Sequence, residues 1–242
     1  MDVNSLKIIY EDNHLIVSIK PAGVLSQAGE KKIPDMLTLI KSYLKDKYLK
    51  PGNVYLGLVH RLDLNVGGLM VFAKTSKSAS RLSEAIRDHV FEKQYMAIVQ
   101  GVIPVGQKDT LTDYLNKNEE LRKSEISEES SGKKAILEYE ILANSNLYGG
   151  ISLAKVRLLT GRFHQIRSQF SNFGHPLLGD QKYGKKTSIL SNELGLWAYY
   201  LEFLHPTSKE TMTFTEYPNT NIFSMFSTIF ETFKKKDCEE YK

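Results

Sequence analysis

An α+β fold, with a mixed, mostly antiparallel sheet flanked by helices, is what this sequence predicts. Short segments of strand character outnumber helical stripes, and many are joined by turns instead of crossover helices. The chain has 242 residues, 41% of them hydrophobic and 25% charged, enough to bury a proper core without disulfide staples. Neither an internal repeat nor a long linker interrupts it. A single domain over residues 1–242 is therefore expected, with a core over about 6–217 and a C-terminal helix and charged tail over 218–242.

Pattern and punctuation supply the elements in order. Residues 6–10 and 14–19 read as two short strands around the polar turn Glu11-Asp12-Asn13, and Pro21-Ala22-Gly23 closes the second. Residues 34–48 read as a helix, with Pro34 at its first position and Leu37, Ile40 and Leu44 spaced by three and four. A strand over 68–74 follows the loop at His60–Asp63. A helix over 75–89 comes next, its stripe being Ala79, Leu82, Ala85, Ile86 and His89 behind a Thr/Ser-rich start. Residues 95–99 form a strand ended by Gly101 and Pro104. From 116 to 134 the pattern lapses, and the glutamates and serines there read as an exposed loop or hairpin tip. Strands follow at 134–143, where Leu137, Tyr139 and Ile141 alternate with Ile136, Glu138 and Glu140, and at 151–159. A helix starts near 161–163 and stops at Gly174, a glycine being the usual left-handed terminator. Strands at 197–203 and 211–215 precede a short closing helix.

Composition excludes several classes. The single cysteine, Cys238, rules out a disulfide framework and a cysteine metal site, and such usage fits a reducing cytoplasm. The start lacks the basic and apolar blocks of a signal peptide, and no apolar run approaches the roughly 20 residues that span a bilayer. A net charge of +4 permits an RNA partner without demanding one. No GxGxxG, GxxxxGK[ST], HExxH or GxSxG pattern is present, so neither a nucleotide cofactor nor a metal is expected.

Two stretches carry chemistry. In His60-Arg61-Leu62-Asp63, Arg61 and Asp63 are two apart and share a side on an extended segment. A carboxylate beside a guanidinium stays ionised, which suits a nucleophile or base and not a proton donor. An isolated pair of this kind is ordinarily a surface ion pair worth under about 1 kcal/mol. Here His60 precedes it and Asn65, Gly67 and Gly68 follow, and the glycines allow a tight turn and close approach of a ligand. In the second stretch, residues 160–167, His164 and Arg167 are three apart on one helix face, beside an apolar stripe of Phe163, Ile166, Phe170 and Phe173. The helix N-terminus together with Arg162 makes a candidate phosphate site. Taken alone, His164 reads as a structural histidine and Tyr95 as a core strand residue. The loop over 174–184 reads as architectural.

In order, the chain shows His60-Arg61-Leu62-Asp63, Lys93-x-Tyr95-x-Ala97, Thr160-Gly161-Arg162-x-His164-Gln165-Ile166-Arg167, Gly174-His175-Pro176-Leu177-Leu178-Gly179-Asp180 and Tyr183-Gly184. This series resembles the RluA family of pseudouridine synthases over roughly residues 6–217. The resemblance implies that family's catalytic fold, with an active-site cleft across the sheet. It also implies isomerisation of selected uridines in ribosomal or transfer RNA to pseudouridine, without cofactor or metal. The C1′–N1 bond breaks, the uracil turns, and C5 joins C1′. By the same resemblance Asp63 is the essential carboxylate, either adding to C1′ or removing the 2′ proton. Tyr95 packs against the base and is the candidate for removing the C5 proton. Arg167 pairs with the aspartate, and Arg61 fills the gap left by the extruded uridine. The remaining substrate-binding residues implied are His60, Arg162, His164, Gln165 and Ile166.

Two departures from the family pattern stand out. Val66-Gly67-Gly68 replaces a frequent Thr-Ser-Gly, removing two hydroxyls. The catalytic motifs also begin almost at once, so a short form without the N-terminal RNA-binding domain is expected, and Lys133, Lys134, Lys185 and Lys186 become candidates for phosphate contacts. A cytoplasmic monomer is the default expectation. The competing reading is an inactive RNA-binding or assembly protein on the same fold. A glycan or nucleoside hydrolase is a third, but a glycosidase needs two carboxylates and only one can be placed.

Overall fold

A computed structural model describes residues 5–29, 33–184 and 193–240. The chain forms two compact units, Met1–Glu92 with Tyr200–Glu216, and Lys93–Tyr199 with Tyr217–Lys242.

The first unit opens with β1 (Lys7–Glu11) and β2 (Leu15–Lys20), an antiparallel pair, followed by α1 (Met36–Lys47), β3 (Gly57–Leu58), β4 (Gly67–Ala73) and α2 (Ser76–Arg87). The later half of β10 (Leu196–Leu204), paired with β11 (Thr211–Thr215), completes it. β2 and β4 pair antiparallel from Leu15↔Ala73 to Lys20↔Gly68, and every residue of both is buried. That is why they read as nearly continuous apolar runs, broken only by Ser18 and Lys20: a strand covered on both faces has no polar side to alternate with. α1 starts two residues later than the sequence suggests. Pro34 lies outside it, and Asp35 is the N-cap, accepting a 2.9 Å hydrogen bond from Thr38 N. Thr75 caps α2 in the same way, through Ser78 N.

Glu11 ties this unit together. Its carboxylate accepts 2.7 Å hydrogen bonds from Lys47, Lys74 and Tyr48. Burial would raise its pKa, but these donors outweigh burial and hold it at about 2, against an ordinary 4.5. A depressed carboxyl contributes stability that is full above its unfolded pKa and is lost as pH falls through the folded one. Glu11→Gln should therefore lower the urea midpoint at pH 7, with the gap to wild type closing between pH 4.5 and 2. An equal gap at pH 2 would contradict this account.

The second unit has strand order β10–β5–β9–β8–β6–β7, from β5 (Glu92–Gln100), β6 (Lys108–Asn118), β7 (Lys123–Ser127), β8 (Lys133–Ser145) and β9 (Ile151–Leu158). The β5–β9, β9–β8, β8–β6 and β6–β7 pairs are antiparallel. β8 alternates as expected, with Ala135, Leu137, Tyr139 and Ile141 buried. The lapse over 116–134 holds a hairpin, and only 119–122 form its tip. Its strands are largely exposed, so nothing there demands apolar residues, and the period-two signal is lost.

α3 (Gln165–Asn172) starts later than expected, leaving Phe163 and His164 outside it. It ends as expected: Gly174 has φ 88°, its N–H reaches Ser171 O, and His175 N reaches Phe170 O, the paired bonds of a Schellman stop. The closing helix, α4 (Ser227–Glu240), is anchored by buried Phe230 and by Asp237, which accepts a 3.0 Å hydrogen bond from Tyr217. Tyr217 in turn stacks on Tyr199 and Phe230 at 5.6 and 6.0 Å. No helix among the described residues is long and apolar enough to cross a membrane.

Candidate active site

The loop between β3 and β4 presents Asp63. Arg61 is exposed, Leu62 buried and Asp63 half-buried, so the backbone turns the apolar side chain inward and the two charged ones away from it. Val66 N donates to Asp63 O at 3.1 Å, closing a turn that leads into β4. The glycines after the loop prove to be strand residues. Gly67 and Gly68 open β4 and are buried, and Gly68 adopts φ 124°, which a side chain would resist.

Main-chain groups of both neighbours of Asp63, Leu62 and Leu64, are held by the end of β2 and the segment that leaves it. Ser26 Oγ donates to Leu62 O at 2.8 Å and accepts from Leu62 N at 3.0 Å. Leu64 O accepts from Gly23 N at 2.8 Å and from Lys20 Nζ at 3.0 Å. Lys20 is fully buried, and its ammonium also donates to Val24 O and Pro21 O. Burial pulls its pKa down to about 7, against the opposing attraction of the Asp63 carboxylate.

His60, expected among the substrate-binding residues, is placed against β4. Its Nε2 accepts a 3.1 Å hydrogen bond from Val71 N, just past the point where β3 stops pairing with β4. Its ring packs against Phe91 at 5.9 Å. These contacts make it a side-chain continuation of the strand ladder.

In the second unit Tyr95 lies on β5 opposite Val156, 7% exposed. Lys93, two residues earlier, is pushed below its ordinary pKa by burial. Arg167 sits in the first turn of α3, and two of its donors go to one carboxylate: Nε to Asp180 Oδ2 at 2.7 Å and Nη2 to Asp180 Oδ1 at 2.9 Å. Burial would raise the Asp180 carboxyl. The Arg167 guanidinium, with N–H groups from Lys182 and Tyr183, instead holds it below the usual range. Arg167 also lies over the Tyr183 ring at 5.2 Å. Tyr183 OH accepts from Ser124 N and stands 3.0 Å from His164 Nδ1.

Around this pair the expected binding residues separate by environment. His164 adopts φ 50° and stacks on Phe163 with ring centres 3.8 Å apart. Arg162 is exposed, with Nε donating to Lys134 O at 2.9 Å, so these two basic residues share a surface. Lys133 is exposed as well, whereas Lys185 and Lys186 lie outside the described residues. Gln165 and Ile166 lie deeper than the other expected binding residues. Ile166 is buried, and the Gln165 amide makes four hydrogen bonds: its oxygen accepts from Thr160 Oγ1 and Arg162 N, and its nitrogen donates to Ile136 O and Gln169 Oε1. Those bonds fill the capacity of an amide and assign Gln165 to bracing the loop. The first turn of α3 is buried throughout, which removes the open phosphate site expected there.

Sequence reasoning missed Ser26, Lys20 and Asp180. Lys20 did leave a signal, since an ionisable residue completing the run Leu15–Ile19 has to find buried acceptors. Asp180 stood in one of the motifs, in a loop read as architectural, and Ser26 left no signal.

Comparison with known proteins bears on this chemistry. A family model described as RNA pseudouridylate synthase matches residues 14–172, a span that includes Asp63, Tyr95 and Arg167. An uncharacterized RNA pseudouridine synthase of Aquifex aeolicus is 34% identical over 225 residues, covering 89% of this chain and 70% of that one. The dual-specificity RNA pseudouridine synthase RluA of Haemophilus influenzae is 34% identical, with 86% of this chain and 91% of that one covered. The ribosomal large subunit pseudouridine synthase D of Zymomonas mobilis is 32% identical, with 86% and 68% covered. Human RNA pseudouridylate synthase domain containing 1 shares the fold at TM-score 0.71 and 24% identity, over 90% of this chain and 85% of that one.

Proposed function

This chain belongs to the RNA pseudouridylate synthase family and is an enzyme that isomerises uridine to pseudouridine, and from that premise we propose which residues carry the reaction and on which RNA. Asp63 supplies the single carboxylate. The reaction asks for only one, because no water attacks and the base that leaves C1′ through N1 returns through C5. The carboxylate adds to C1′ or takes the 2′ proton, and Tyr95 removes the proton from C5. Arg167, held by Asp180, supplies the positive charge that keeps a reacting carboxylate ionised. The observation that supports Asp63 most directly is its half-buried position on a loop whose flanking peptides are both clamped, since a reacting group gains from being preorganised.

The substrate is a structured ribosomal or transfer RNA: a relative named for the ribosomal large subunit supports the first class, and the exposed Arg61, Arg162, Lys133 and Lys134 suit the phosphates of either. Flipping the uridine out costs a few kcal/mol, less in a loop than in a duplex. A monomer working in the cytoplasm fits that substrate and the single cysteine.

Tritium release from RNA labelled at uracil C5 tests this. Forming pseudouridine must expel the C5 hydrogen, so wild-type protein with unmodified total RNA should release tritium and leave the RNA chain intact. Free uracil in the products, or no release from RNA that demonstrably binds, would overturn it.

A further inference from the structure

We propose that Ser26 is a positioning residue for the reaction, and that its hydroxyl fixes the direction of Asp63 by gripping both the N–H and the C=O of the neighbouring Leu62. The proposal rests on the reading of Asp63 as the reacting carboxylate.

The geometry is that of a strand bridge with one partner replaced by a side chain. In extended backbone the N–H and C=O of one residue point the same way, and Ser26 Oγ meets both, at 3.0 and 2.8 Å. A hydroxyl can do this because it is donor and acceptor at once. With the Leu62 backbone held on one side and its side chain buried, Arg61 and Asp63 are directed away from the Leu62 side chain.

Ser26 is itself held. It is 4% exposed, and its oxygen lies 3.7 Å from Met70 Sδ on β4. Leu25 before it accepts from Met36 N at 2.8 Å and donates to Pro34 O at 3.0 Å, so the residue is tied to the start of α1. The path from the capped end of α1 to the reacting carboxylate is thus Leu25, Ser26, Leu62, Asp63. On the other side of the loop Lys20 Nζ and Gly23 N hold Leu64 O, while Ser26 grips the Leu62 side of this bracket.

Replacing Ser26 by alanine leaves both Leu62 groups without these bonds while adding no bulk, so the loop can relax with the fold intact. Displacing a reacting group by about 1 Å costs on the order of a hundredfold in rate. We therefore expect the single-turnover rate of Ser26→Ala, normalised to RNA-binding stoichiometry, to fall about 10- to 100-fold while the Kd for RNA stays within about twofold. Normalisation removes any loss of folded protein, so a merely structural role would not move this rate. Ser26→Thr keeps the hydroxyl and should retain most of the rate if it folds.

Asp63→Asn, run alongside, separates the two claims. An inert Asp63→Asn with Ser26→Ala at the wild-type rate, or weakened only in RNA affinity, would overturn the role of Ser26 alone. An active Asp63→Asn would remove Asp63 from the chemistry and Ser26's purpose with it.

Discussion

Asp63→Asn should abolish pseudouridine formation, by about a thousandfold or more, while RNA affinity stays within a few-fold. The amide has nearly the shape of the carboxylate but neither adds to carbon nor takes a proton at neutral pH, so the loss falls on the chemical step. The fold should survive. The loop is held through main-chain atoms of Leu62, Asp63 and Leu64, all of which the substitution leaves in place. One secondary change is expected: removing the Asp63 charge takes away the attraction that offsets burial at Lys20, so that ammonium should titrate lower still. The checks are tritium release, RNA binding by filter retention and a urea midpoint. Wild-type product from the variant would sink the assignment of Asp63.

Asp180→Ala should cost about 3–5 kcal/mol of stability, the largest effect expected from a single side chain outside the apolar core. The Asp180 side chain is 0% exposed and that of Arg167 10%, so truncation removes the carboxylate that compensates a largely buried guanidinium. The N–H groups of Lys182 and Tyr183 lose their acceptor in the same step. Activity should fall too, because the Tyr183 ring and Arg167 rely on the same loop for position. The pH dependence has a definite sign. The Asp180 carboxyl is held below its ordinary pKa, so its contribution is complete above the unfolded value and disappears as acid protonates it. Urea unfolding at neutral pH is the measurement, and a loss below about 1 kcal/mol would show that the pair is not the anchor described here.

The two stretches singled out in the sequence fared differently. His60–Asp63 did lead into a buried strand, and its half-buried carboxylate and exposed arginine suit a reacting loop. In residues 160–167 the residue types were informative and the helical register was not. The sequence placed the helix start near 161–163, but Thr160, Arg162 and Gln165 close a hydrogen-bonded loop first, and the helix begins only at Gln165. A local polar network competes with helix formation and leaves no periodic trace. Residues 116–134 did read as an exposed loop or hairpin tip, but the strands β6 and β7 left no period-two signal for a different reason: little of them is buried, so selection for an apolar face is weak.

By itself the sequence determined the fold class, most of the elements with a buried face, the stop at Gly174 and the order of motifs that place the chain in its family. Those features are local, because burial imposes a period of two or 3.6 on neighbouring residues. Only the tertiary structure decided that Ser26 grips Leu62 across 36 residues, that Lys20 reaches Leu64 across 44, and that Asp180 holds Arg167 across 13. Each is a buried polar group that must find a partner, and a sequence states the need without naming who meets it. That choice is made by whichever donors and acceptors the folded backbone brings within about 3 Å.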